Sequence, residues 1–212
     1  MPRKRLHKIH FESELFSVRP LEESDLNNIR KIDSDLFEIL NSKENTRFIP
    51  DKYLSNISQA QSITFTFVSG YMNGNYYSLI IFDKRFNKAI GVITIINSEF
   101  ADKSYGFPLG YWLVDYYLNK KYWGHGLMAA ILSQTILNLK RQGLIRIGAI
   151  CDVNNASSIK TLSRANFKRC AKIDYKQDFY IWNYNEMNVL SRFATRVTLF
   201  INRIRTTIKN RN

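Results

Sequence analysis

The chain has 212 residues, 45% of them apolar, which suffices for one well-packed domain and leaves little room for a second. No run approaches the roughly 20 apolar residues of a membrane span, and the basic opening Met1-Pro2-Arg3-Lys4-Arg5 leads into no apolar leader core. Only two cysteines occur, Cys151 and Cys170, without a CxxC pair. A disulfide scaffold and a zinc ribbon are thereby excluded, and a cytoplasmic setting is expected.

The net charge of +13 is unevenly spread. Residues 1–8 carry four cations and residues 192–212 carry six, with no acid in either segment, so only three net charges remain on the body between them. This distribution places an acidic partner at the termini rather than at a basic cleft. In residues 192–212, Phe193, Val197, Phe200, Ile201, Ile204 and Ile208 recur at three to four residues among arginines, the pattern of a basic amphipathic helix. Three readings of it stand: a helix docked on the body, an RNA contact, or an anionic membrane contact.

In chain order, Phe11 to Pro20 reads as a strand, and Leu21-Glu22-Glu23-Ser24-Asp25 opens a helix running towards Asp33, with acids in its first turn. Leu36 to Thr64 is weakly helical, with breaks near Asn45 and Pro50. Tyr76–Asp83 and Ile90–Ile96 are β-rich runs around the polar turn 84–88 and predict a hairpin. Leu109 to Leu118 is an aromatic, β-branched run. It is followed by Asn119-Lys120-Lys121-Tyr122-Trp123-Gly124-His125-Gly126 and then by a helix whose apolar positions Met128, Ile131, Leu132, Thr135, Ile136 and Leu139 share one face, ended by Gly143. Arg146–Cys151 reads as a strand, Asn155–Ala165 as a short helix stopped at Asn166, and Phe179–Leu190 as a last strand or hairpin. The order implies a mixed α/β sheet.

Two segments carry chemistry. Strand, Lys121-x-x-Gly124-x-Gly126, helix allows close backbone approach to a ligand, and the helix beginning at Leu127 has unpaired N–H groups in its first turn. Such groups together with the helix dipole suit phosphate oxygens. On pattern alone, a tight turn explains the same glycines, and neither a Walker loop nor GxGxxG is present. The second segment is Asn155-Ala156-Ser157-Ser158, a helix-capping spacing.

Together these segments resemble the GCN5-related N-acetyltransferase (GNAT) superfamily, in particular its ribosomal-protein N-terminal acetyltransferase (RimJ/RimL-like) branch, over roughly residues 10–191. Phe16 to Asp25 resembles that branch's first strand and helix. Tyr122-Trp123-Gly124-His125-Gly126-Leu127-Met128 resembles its acetyl-CoA loop, and Asn155 to Phe167 its N-x-x-S segment. The resemblance implies a mostly antiparallel twisted α/β (α+β) sheet of about six or seven strands, helices on both faces, and a V-shaped splay between central strands. It also implies a division into a basic tail (1–9), a catalytic domain (10–191) and the basic helix (192–212).

The implied activity is direct acetyl transfer from acetyl-CoA to a primary amine, with no metal and no covalent enzyme intermediate. Amides of Trp123, Gly124, His125, Gly126, Leu127 and Met128 would hold the pyrophosphate, Lys121 would stand where Gln or Arg is usual, and Tyr117 and Leu118 would pair with the pantetheine arm. Asn155 and Ser158 would flank that arm, and the Ser158 hydroxyl would stabilise or protonate the departing thiolate.

Leu109-Gly110-Tyr111-Trp112-Leu113 lacks the preceding Glu that many relatives carry. Either an insertion separates this strand from the loop, or the match is Val114-Asp115-Tyr116-Tyr117-Leu118, the favoured register because it restores the usual spacing. Asp115 is then the leading candidate base, with Glu99 and Asp102 as loop alternatives. Lysine amines have a pKa about 2.6 units above α-amines, so presenting the free base near neutral pH costs about 3.5 kcal/mol more. A site without a strong base should therefore favour an α-amino group or another low-pKa amine over a lysine, that is a protein N-terminus, the leading expectation, or an amino-sugar amine. An amino sugar, antibiotic or polyamine acceptor, and a catalytically idle acyl-CoA- or nucleic-acid-binding module, are the alternatives. The chain could be a monomer or a dimer.

Overall fold

The computed structural model describes residues 5–105 and 110–183. Among them are eight strands in one sheet, ordered β1-β2-β3-β4-β5-β6-β8-β7, and five α-helices. The mostly antiparallel mixed α/β sheet is as expected, with one strand more than anticipated. The expected strand over Phe11 to Pro20 divides into β1 (Phe11–Glu12) and β2 (Phe16–Arg19). It divides because Ser13 turns the chain: its N–H donates to the Phe16 carbonyl at 2.8 Å and its Oγ accepts from the Phe16 N–H at 3.1 Å. The resulting antiparallel pair sets Phe11 opposite Val18.

The chain forms two compact units. The first comprises residues 1–95 and 116–142. In it, the helix expected from Leu21 starts as a 3-10 turn (Glu23–Asn28) and becomes α1 (Ile29–Leu40), reaching well past Asp33. The first turn is tight because the Asp25 carboxylate accepts from the Glu22 N–H and is gripped by both Arg19 nitrogens at 2.6 and 2.9 Å. α2 (Ile57–Asn73) is a full helix where only weak helicity was expected. Asn56 and Gln59 form a reciprocal cap at its start, and Gly74 ends it at φ +64°.

The hairpin of β3 (Tyr76–Asp83) and β4 (Lys88–Ile96) stands where expected. Ile32, Leu36, Ile39 and Leu40 of α1 bury against Ile80, Phe82, Val92 and Tyr117, with Leu54 and Ala60 closing the cluster. α4 (Leu127–Arg141) buries the expected stripe of Met128, Ile131, Leu132, Thr135, Ile136 and Leu139, and Gly143 follows it at φ +76°. In the basic segment 1–9, Leu6 and Ile9 are buried, and the Leu6 N–H donates to Tyr77 Oη, so this stretch is anchored in the unit.

The second unit comprises residues 96–115 and 143–212. Residues 98–105, expected as loop, form α3 (Ser98–Tyr105). β5 (Trp112–Leu118) lies parallel to β6 (Ile147–Asp152), pairing Trp112 with Ile147 and Leu113 with Gly148, and among the described residues that ladder goes no further. β6 meanwhile pairs with β8 (Gln177–Trp182) along Gly148 to Asp152. The expected parting of the central strands corresponds to this early end of the β5–β6 ladder. α5 (Ala156–Arg164) precedes β7 (Phe167–Lys172), an edge strand that the sequence reading did not include. Asn166 joins them at φ +64°, as expected of a helix stop. Of the expected last strand, Gln177–Trp182 is observed; residues 184–190 and the basic segment 192–212 lie outside the described residues.

Gly148 marks the tightest packing in this unit. A Cβ there would sit 2.5 Å from the Phe179 ring, which itself packs edge-to-face on Tyr111 with centroids 5.5 Å apart. Gly148→Ala should lower the unfolding free energy by about 1–3 kcal/mol, measured by urea titration. An unchanged midpoint would show that Phe179 yields freely.

Candidate active site

In the first unit, the loop before α4 is held by its own polar groups. Buried Asn119 donates its N–H to the Ile90 carbonyl at 2.7 Å and accepts the Lys121 N–H on its side-chain oxygen at 3.0 Å. The Tyr122 N–H returns to the Asn119 carbonyl, forming a 3-10 turn over Lys120–Tyr122. The Trp123 indole donates to the Leu118 carbonyl at 2.7 Å, closing the loop onto the end of β5. Gly91 of β4 permits this end of β5 to lie close, since a Cβ would fall 2.6 Å from the Tyr117 carbonyl oxygen.

A buried charge holds the turn from the other side. Tyr122 Oη donates to Asp83 at 3.0 Å, and Arg85 donates to the same fully buried carboxylate at 2.7 and 3.1 Å. The Arg85 side chain holds the Asp83 carboxyl below the usual carboxylate range, against the opposing effect of burial. Burial, and then Asp83 itself, push the Tyr122 phenol upward.

Past Trp123 the backbone turns through Gly124 at φ +86° and Gly126 at φ +76°. Gly126 is the N-cap of α4 and, having no side chain, leaves the first-turn N–H groups uncapped; no acid stands in that turn. The Trp123 N–H is already donated to the Lys120 carbonyl, which removes it from the expected set of phosphate-binding amides. The first intrahelical bond runs from the Ala130 N–H to the Gly126 carbonyl. The first-turn N–H groups of Leu127, Met128 and Ala129 thus stand uncapped at the positive end of a 15-residue helix, next to the glycine turn 124–126. This arrangement fits a diphosphate.

The flanking cations contribute less than the pattern suggests. Lys121 Nζ is exposed, 3.4 Å from Glu38, whose carboxylate also binds Lys88 Nζ at 2.6 Å. His125 is exposed. Tyr117 and Leu118 are buried at the end of β5.

The second unit carries the other expected residues. Asn155 Oδ1 accepts the Ser158 N–H at 3.0 Å and so caps α5. The Asp152 carboxylate accepts the Asn154 N–H at 2.8 Å, and its carbonyl accepts the Asn155 N–H, fixing the turn out of β6. Half-buried Ser158 makes a side-chain hydrogen bond to the Cys151 thiol. Burial pushes that thiol upward and the Ser158 hydrogen bond opposes the shift. Asp115 stands half-buried on β5, on the strand face of Leu113 and Tyr117. Glu99 and Asp102, expected in a loop, are on α3, where Asp102 accepts from the Gly110 N–H.

Asn119, Gly91 and the Asp83–Tyr122 pair were not singled out in the sequence. Asn119 stands directly before the loop and could have been noticed as a turn former; the others need the fold.

The sequence matches the acetyltransferase (GNAT) domain family over residues 17–168. The chain belongs to this family. It is an N-acetyltransferase that uses acetyl-CoA, as the uncapped glycine turn before α4 suits. No curated protein sequence matches the chain significantly. Among solved structures, this acetyltransferase resembles the ribosomal-protein-S5-alanine acetyltransferase from Vibrio fischeri, at 22% identity and TM-score 0.60, covering 82% of this chain and 94% of that one. It also resembles RimL, a ribosomal L7/L12 α-N-protein acetyltransferase solved with coenzyme A, at 18% and 0.62, covering 82% and 97%. A microcin self-immunity acetyltransferase solved with acetyl-CoA and AMP gives 20% and 0.61, covering 80% and 92%. Among the described residues no cluster of His, Cys, Asp or Glu could hold a metal ion, and no helix is long and apolar enough to cross a membrane.

Gly126→Ala would force a side chain into the left-handed region, costing about 1–2 kcal/mol, or shift the cap. Coenzyme A affinity of the acetyltransferase should fall roughly ten-fold by calorimetry, since about 1.4 kcal/mol is one decade. Unaltered affinity would mean that the cap geometry does not bear on binding.

Proposed function

We propose that this acetyltransferase modifies the α-amino group of a peptide or protein N-terminus. The observation that carries this reading is the state of the buried carboxylates. Asp25 is gripped by Arg19, Asp33 accepts from the Thr64 hydroxyl, Asp35 accepts from the Ala89 N–H, Asp83 is bound by Arg85 and Tyr122, and Asp178 by Arg169. Among the described residues, every buried carboxylate thus has a hydrogen-bond partner, and Arg85 holds Asp83, against burial, below the usual carboxylate range. An α-amine is substantially unprotonated near neutral pH, whereas a lysine amine is not. Two structurally similar proteins named for acetylating ribosomal proteins, one an S5-alanine and the other an L7/L12 α-N-protein acetyltransferase, support the same acceptor class.

In this reading, bound acetyl-CoA supplies an activated acetyl thioester. The N–H groups from Gly124 to Ala129 hold its diphosphate, and the polar edges of Tyr117 and Leu118 receive the arm. Asn155 fixes the start of α5, so that Ser158 presents a hydroxyl which already bonds a sulfur atom. That hydroxyl gives its proton to the departing coenzyme A sulfur as the carbon–sulfur bond breaks and the carbon–nitrogen bond forms, and it is reprotonated through solvent by the proton the amine loses. Half-buried Asp115 takes the proton that the amine must lose.

Thiol release should be followed with a free-N-terminus peptide, the same peptide Nα-blocked and carrying a lysine, and an amino sugar. At pH 7.5 the free N-terminus should react on the order of 10²-fold faster than lysine, from the pKa gap alone. The lysine rate should keep rising towards pH 10 while the α-amine rate levels off near pH 8. Equal rates at neutral pH, or preference for the amino sugar, would discard the proposal. Separately, Ser158→Ala should lower kcat by about 10²-fold if the hydroxyl is a general acid, with coenzyme A affinity within three-fold of wild type. An unchanged kcat would remove Ser158 from the chemistry.

A further inference from the structure

α2 (Ile57–Asn73) has two apolar sides. Ala60, Ile63 and Phe67 face the core, yet Ile57, Phe65, Val68 and Met72 stand 42%, 74%, 40% and 70% exposed. At 100° per residue these four lie within an arc of about 80°, with Gln61 the only polar residue inside it. The spacing 65, 68, 72 is the three–four alternation of a helix-packing seam. A helix apolar on both sides is ordinarily buried on both.

The charge pattern decides what covers the outer side. α2 has 17 residues and not one is charged, in a chain that is 23% charged. Helices that lie on anionic lipid carry lysine and arginine along the polar face, and surfaces that bind nucleic acid are basic. The polar side of α2 offers Ser58, Gln59, Ser62, Thr66, Ser69 and Asn73, all uncharged. A charged partner would find nothing to pair with. A second copy of the same face would: in a two-fold contact each patch meets itself, so an uncharged apolar seam is self-complementary, with no like charges opposed. We propose that α2 is a self-association surface, packing antiparallel on α2 of a second copy with the two-fold axis near Phe65. The seam from Ile57 to Met72 is about 22 Å long and supplies four apolar anchors from each copy.

The full chain should be examined by sedimentation velocity from about 1 to 100 μM. The proposal expects a species of twice the 24.9 kDa chain mass. Phe65→Glu, and independently Met72→Glu, should raise the midpoint concentration of the dimer at least ten-fold, with circular dichroism and coenzyme A affinity unchanged because both side chains are exposed. Phe65→Cys should cross-link to its own copy with a short bis-maleimide. Native Cys151 and Cys170 are buried, so the wild-type chain serves as the blank. A monomer throughout this range, or a dimer indifferent to both glutamates, overturns the proposal. So does binding of the monomer to phosphatidylserine vesicles that Phe65→Glu abolishes, since lipid would then be the occupant.

Discussion

The acetyltransferase depends on one uncapped helix end. α4 begins at Gly126, a residue that reaches its left-handed φ of +76° without a Cβ penalty and brings no side chain to satisfy the first-turn amides. Two other α-helices do the opposite. Asn56 caps α2 and Asn155 caps α5, each accepting a backbone N–H on its own side chain. On the proposed reading, the donors left at α4 are kept for a ligand. An open helix end is of use only if it is held still, and the preceding turn is arranged for that. Asn119 fastens it to β4, the Trp123 indole closes it onto Leu118, and Tyr122 reaches the buried carboxylate of Asp83. Donors fixed in advance gain more from a ligand than donors that must be ordered on binding.

The same economy of polar groups bears on the chemistry. Arg85 beside Asp83, and Arg19 with the Glu22 N–H beside Asp25, stabilise the charged form of those two carboxylates against their burial. A carboxylate so stabilised is a poor proton acceptor. In the proposed reading, half-buried Asp115 and the Ser158 hydroxyl beside Cys151 serve an acceptor that arrives largely deprotonated.

Much of this was legible in the sequence, for physical reasons that differ by element. α4 could be read to within a residue or two because its buried positions recur at the helical period between two glycines that need positive φ. Asn166 could be read because few residues other than glycine tolerate its conformation. α2 was read only weakly: apolar on two sides and uncharged, it has no clear period, and its stop at Gly74 is visible only once Gly74 is known to be left-handed. β7 was missed because just Phe167 and Cys170 of its six residues are buried hydrophobics, and a register shift between Arg169 and Ala171 breaks the alternation. In the site, the glycines and the Asn155–Ser158 pair were legible as spacing. The use of the Trp123 amide within the turn, and the reach of Tyr122 to Asp83 across 39 positions, depend on tertiary structure and leave no local signal.

The central claim is that the amides from Gly124 to Ala129 receive a diphosphate. Backbone amide NMR during titration with coenzyme A, set against titration with pantetheine, which lacks the diphosphate, tests it most directly. The account predicts that coenzyme A moves the signals of His125, Gly126, Leu127 and Met128 most strongly and that pantetheine leaves them nearly in place. Signals there that ignore coenzyme A, or that respond equally to pantetheine, would contradict it.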